Sequence, residues 1–145
     1  SIVYGHMQDE PAQTENSSTP RGRPSVLVLI VGDIFFDAHR NPCSPMAEEH
    51  QQDAWASTVT NLLGPLQKVY DVEVAFTMPW QCPSRMHAAA QRAFADFPLH
   101  EALINSSSMT DGWAHAFEQF DGLIPRFDYL FKTRHDIVFQ APLDA

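Results

Sequence analysis

The sequence predicts an α/β fold, a Rossmann-like and mostly parallel sheet with flanking helices, and three observations carry that expectation. Val26 to Val31 is an unbroken apolar run, which suits a strand covered on both faces better than one facing water. A helical apolar pattern follows, and Asp71 to Thr77 then reads as a second strand; strand, helix and strand in that order imply a right-handed parallel crossover. Near the carboxyl end, Tyr129-Leu130-Phe131 and Ile137-Val138-Phe139 are apolar enough for a buried strand, yet they flank the polar group Arg134-His135-Asp136.

A chain of 145 residues with an ordinary apolar fraction can bury one core, so a single domain is expected from about residue 25 to 145. Residues 1 to 24 are rich in Gln, Asp, Glu, Asn, Ser, Thr and Pro, and such a segment buries too little to offset its ordering entropy; it reads as a disordered tail or stalk. Nine Lys and Arg against eighteen Asp and Glu give a formal net charge of −9, which sets nucleic acid aside as a partner. A small anion can still bind locally, because a metal ion and one arginine can reverse the potential inside a pocket. No apolar run approaches the ~20 residues of a membrane span. Both ends look cut. Cys43 and Cys82 follow the first and second strands in proline-bearing loops, open to pairing or to remaining separate thiols, and no zinc-type spacing accompanies them.

In chain order, the first strand ends at Gly32, which would let backbone approach a ligand. Asp33, Asp37 and His39 follow, in an order opposite to that of metallophosphoesterase motifs, and read as strand-end and loop residues. After a loop from Pro42 to Pro45, the spacing of Ala54, Trp55, Val59, Leu62, Leu63, Leu66 and Val69 predicts a helix with one apolar face. Gly64-Pro65 interrupts it, and a helix-interior proline costs about 3 kcal/mol, so a kink or restart is expected near Leu63. Ser84 is placed to cap a helix from about Arg85 to Phe97, which Pro98 stops. Glu101 to Asn105 suits a short strand. Thr110 or Asp111 would cap a helix whose Trp113, Phe117 and Phe120 form a core stripe. The sequons Asn16-Ser17-Ser18 and Asn105-Ser106-Ser107 point toward a lumenal setting.

If the backbone stays extended through the motif, the two-residue period sends Arg134 and Asp136 to one face and His135 to the other. The string "FDYLFKTRHDIVFQAPL" resembles a segment of a glycosyltransferase-like family with the nucleotide-sugar-binding GT-A fold, in which Arg-x-Asp stands where other GT-A enzymes carry Asp-x-Asp. Val28 to Gly32 is similar to that family's first strand, Asp71 to Trp80 to its second, and Trp113 to Phe120 to the helix before the motif. His135 stands where the family has proline, Asp33 follows the glycine where Gln is common, and Met78-Pro79 is inserted before Trp80.

The resemblance implies a truncated GT-A-type domain that binds a nucleotide-sugar donor. It implies a divalent cation, Mn²⁺ or Mg²⁺, with Asp136 as its ligand, and Gly32, Thr77, Trp80 and Arg134 around the nucleotide. A cation of that kind neutralises a leaving diphosphate, and the Arg134 guanidinium presents a planar fork of donors to phosphate or ribose. The acceptor, whether glycan, protein or lipid, and the catalytic base are not legible, and the segment alone is expected to be inert in transfer. A Golgi-lumen setting follows from the resemblance. From the residues alone two further readings stand: a strand-end salt bridge between Arg134 and Asp136 with no ligand, and a non-catalytic α/β module that binds a partner or small molecule.

Overall fold

A computed structural model describes residues 4–7, 22–32, 45–79, 84–104 and 109–144. Five strands, β1 (Tyr4–Met7), β2 (Ser25–Val31), β3 (Asp71–Pro79), β4 (Leu99–Ile104) and β5 (Tyr129–Arg134), form one sheet in the order β1-β5-β2-β3-β4. β2 to β5 are mutually parallel, as the crossover pattern required, and β1 lies antiparallel on the outer edge of β5. That strand falls inside the segment expected to be a tail. The parallel ladder otherwise leaves one edge of β5 without a strand partner, and residues 4–7 pair with it.

The helices are α1 (Pro45–Thr58), α2 (Gly64–Gln67), α3 (Ser84–Ala93) and α4 (Met109–Gln119). Alternation along β2 divides the core. Val26, Val28 and Ile30 pack with Trp55, Leu62, Met86, Ala90 and Phe94 from α1 to α3, while Leu27, Leu29 and Val31 pack with Ala116 and Phe120 of the α4 region. Every residue from Val26 to Val31 is buried, so the unbroken apolar run is explained by cover on both faces.

The restart expected near Leu63 is present, α2 beginning at Gly64 with Pro65 in its first turn. Residues Val59–Leu63 form a π-helical turn in which the Gly64 N–H donates to the Val59 carbonyl, five residues back, and α2 continues from there. Proline has no N–H to give the Asn61 carbonyl four residues earlier; the Leu143 N–H donates to that carbonyl at 2.7 Å instead. Asn61 Nδ2 also donates to the Phe139 carbonyl (2.7 Å), and the Phe139 N–H donates to Ser57 Oγ (3.0 Å). The widened turn therefore fastens the chain that follows the motif.

This corrects the expectation of one long motif strand. β5 ends at Arg134, residues 135–136 turn, and Ile137-Val138-Phe139 leaves the sheet to run along α1. At the other end of β5 the Asp128 carboxylate accepts from the Ser25 N–H (2.8 Å) and hydroxyl (3.2 Å), while Ser25 Oγ accepts from the Asp128 N–H (3.1 Å). These bonds set the register of β5 beside β2.

Candidate functional site

Among the parallel strands, β3 and β4 extend the sheet to one side of β2 and β5 lies on the other. The chain thus reverses its direction of growth between β2 and β5. Open α/β sheets commonly receive ligands beyond the carboxyl ends of the strands at such a reversal of strand order. Gly32 ends β2 there with φ 116°, a backbone conformation that side-chain-bearing residues rarely adopt. Val31 lies opposite Arg134 in the parallel register.

Arg134 and Asp136 meet at this rim. Nε donates to Oδ1 at 2.9 Å and Nη2 to Oδ2 at 2.6 Å, a two-pronged ion pair with side chains 39% and 27% exposed. The period-two argument placed them on one side; a turn rather than extended backbone closes the distance. Because solvent reaches both groups, the pair itself contributes at most about 1 kcal/mol. Lys132, two residues earlier on the same face, lies with Nζ 4.7 Å from the Trp113 ring centroid and 5.3 Å from that of Phe117. Desolvation pulls its pKa below the ordinary lysine value. The stripe expected to be wholly core is thus divided: Phe120 is buried, whereas Trp113 and Phe117 are partly buried and hold a cation.

His135 points the other way and is fully buried. The Trp55 indole N–H, which can only donate, bonds Nδ1 at 3.0 Å, and Nε2 lies 2.6 Å from the Thr77 carbonyl, which can only accept. The two neighbours dictate the tautomer: neutral imidazole with its proton on Nε2. Its backbone is held as well, because the N–H donates to the Val31 carbonyl (3.3 Å) and the carbonyl accepts from buried Gln51 Nε2 (2.7 Å). Burial lowers the pKa to about 4, against opposing contributions from the Thr77 carbonyl and the Asp136 charge. His135 therefore ties β5 to α1, β2 and β3 while carrying no charge at neutral pH.

Thr77 is buried, and its side chain belongs to the same face as Arg134, with β2 between them. Two strand spacings set the two backbones about 10 Å apart. Its Oγ1 has no hydrogen-bond partner, and neither does that of buried Thr133 on the opposite face. Of the residues expected around a nucleotide, Gly32, Thr77 and Arg134 therefore share one rim. Trp80 lies outside the described residues, as do Asp33, Asp37, His39, Cys43, Cys82 and the asparagines of both sequons.

Sequence reasoning missed Lys132, Trp55 and Gln51 as parts of this region. Lys132 sits two positions before Arg134, so the strand period already put both cations on one face. Nothing local signals Trp55 and Gln51, which lie 80 and 84 residues from His135.

A divalent cation has a hard oxygen ligand available in Asp136, whose two oxygens are both engaged by Arg134. Among the described residues no group of three or more His, Cys, Asp and Glu side chains is placed to hold a metal ion. Comparison of the chain with protein-family models, characterised proteins and solved structures returns no match.

Proposed function

We propose that the protein is the donor-binding part of a metal-assisted glycosyltransferase of the GT-A type, holding a nucleotide sugar at the carboxyl rim of the sheet. The observation that supports this reading is the position of the Arg134–Asp136 pair beside Gly32, where the strand order reverses. Arg134 would bind a diphosphate oxygen and Asp136 would hold Mg²⁺ or Mn²⁺ together with phosphate oxygens and water. The ion, when bound, offsets the negative charge that gathers on the departing diphosphate. Gly32 lets backbone approach the ligand, and Thr77 places a buried hydroxyl on the same face. His135 holds the backbone of the motif turn, so the two charged side chains start from fixed Cα positions.

One specific observation favours a second reading. The ion pair is closed on itself, as in a strand-end brace of a non-catalytic α/β binding module. Calorimetric titration with a panel of nucleotide sugars and Mn²⁺ separates the two. Saturable, nucleotide-dependent heat that is lost in Arg134→Ala is the expected result. Absence of heat with every donor removes the glycosyltransferase reading and leaves the brace.

A further inference from the structure

We infer that β1 is an exchangeable strand: residues 4–7 of one copy can take the place of the same residues on β5 of a second copy, which makes the outer edge of β5 a docking edge between copies of this chain. β1 meets the sheet through a four-residue antiparallel ladder, from Tyr4 opposite Lys132 to Met7 opposite Tyr129. A ladder of that kind is built from main-chain groups, and a second copy supplies the same segment in the same register. The edge it covers presents a row of N–H and C=O groups that another strand can read. The ladder stops at Lys132, two residues before Arg134, so exchange leaves the charged pair where it is.

The second copy is pointed to by the direction and length of the chain between β1 and β2. Gly22 lies against Asp71, whose Oδ2 would be 3.7 Å from a Cβ at that glycine. Arg23 donates to the Gln67 carbonyl (2.7 Å) and to Asp71 Oδ1 (3.3 Å). The chain is therefore fastened beside the start of β3, on the side of β2 away from β5 and β1. To join Met7 to Gly22 within one copy, it has to pass the starts of β5 and β2, about three strand spacings or roughly 15 Å. Extended, the connection of residues 8–21 spans roughly 50 Å, more than the width of about 35 Å of a domain of this size. It is thus long enough to reach the same edge of a neighbour. Exchange conserves the main-chain bonds, because each copy gives one strand and receives one, so the balance is one of chain entropy. A connection of this length holds its strand at an effective concentration of about 1 mM. The strand stays with its own copy in dilute solution, and exchange grows as the protein approaches that concentration.

Disulfide trapping between two different chains tests this, with Cys43→Ser and Cys82→Ser in both. One chain carries Tyr4→Cys or Gly5→Cys, the other Phe131→Cys or Lys132→Cys. Tyr4 faces Lys132 and Gly5 faces Phe131 in the ladder. Neighbouring antiparallel pairs alternate between the wide and the narrow type, so one of the two suits a disulfide. The crossed mixtures use the same four chains but set the thiols on opposite faces of the sheet, so the matched ones should give about tenfold more interchain disulfide. That yield should rise between about 10 μM and 1 mM protein. Deleting residues 1–8 from the acceptor chain removes its own strand and should raise the yield further. A peptide of residues 1–8 should compete the product away, and a scrambled peptide should not. Chains that carry both members of a matched pair report pairing within one copy by an intrachain disulfide. Equal matched and crossed yields, or an intrachain disulfide with no matched interchain product at about 1 mM, would make β1 a fixed strand and overturn exchange. Absence of the intrachain disulfide in both matched pairs removes the ladder and the inference with it. Competition by the scrambled peptide makes the edge a general acceptor of extended chain and overturns the assignment to a second copy.

Discussion

Arg134, His135 and Asp136 are consecutive, yet they belong to two regions built on opposite principles. On the α4 face, Arg134 and Asp136 are charged, partly exposed and, among the described residues, bonded to each other. On the face covered by α1 to α3, His135 is neutral, buried and satisfied by four separate bonds to three other elements. Water competes for the first set of bonds and cannot reach the second. The contrast teaches that this rim divides by face: the buried neutral network holds the backbone of the turn, and the charged pair on the other face stays open to solvent.

The sharpest way to break this comparison is His135→Ala. It leaves the Trp55 N–H without its acceptor beside a cavity, removes the bond to the Thr77 carbonyl while the backbone bonds to Gln51 and Val31 remain, and should cost roughly 3 kcal/mol or more in chemical denaturation at pH 7. A loss below about 1 kcal/mol would mean that the network is ornamental. Acid is the next largest perturbation. The unfolded histidine takes up a proton near its ordinary value of 6.5, the folded one only near 4. Between these values the unfolded state binds more protons, so stability falls as pH drops from 6.5 to 4 and this contribution is flat above 6.5. The full effect of that one group is on the order of 3 kcal/mol. His135→Ala should lack this component, and parallel pH profiles for the two proteins would refute it.

The smallest effect is expected from the neighbour. Asp136→Asn removes a charge that solvent already screens, so its stability cost should stay under about 1 kcal/mol. Unfolding of Asp136→Asn as severe as that of His135→Ala would erase the distinction between the two faces, because it would make the ion pair part of the scaffold.

Much of the sheet could be read without coordinates. Val26 to Val31 had to be covered on both sides, the pattern from Ala54 to Leu66 had to be helical, and the crossover rule made β2 and β3 parallel; Val69, counted in that pattern, instead lies past the helix and is exposed. These inferences concern neighbours within a few residues or a bias in handedness, and periodicity is a local record of which side is dry. It also put the two charges of the motif on one face and His135 on the other. The π-helical turn was not legible, since Pro65 announces only that a helical bond is missing. That Leu143 would supply the absent N–H depends on where a segment nearly eighty residues later comes to lie.

The same holds at the rim. Composition and spacing determined that this chain would form a parallel α/β sheet and that Arg134 and Asp136 would share a side. Packing alone decided that the strand stops at Arg134, that an indole and an amide from α1 meet His135, and that residues 4–7 add a fifth strand. The reason lies in range: apolar periodicity is enforced by each residue's own contact with water, whereas a hydrogen-bond partner 80 residues away is chosen only once the layers have closed.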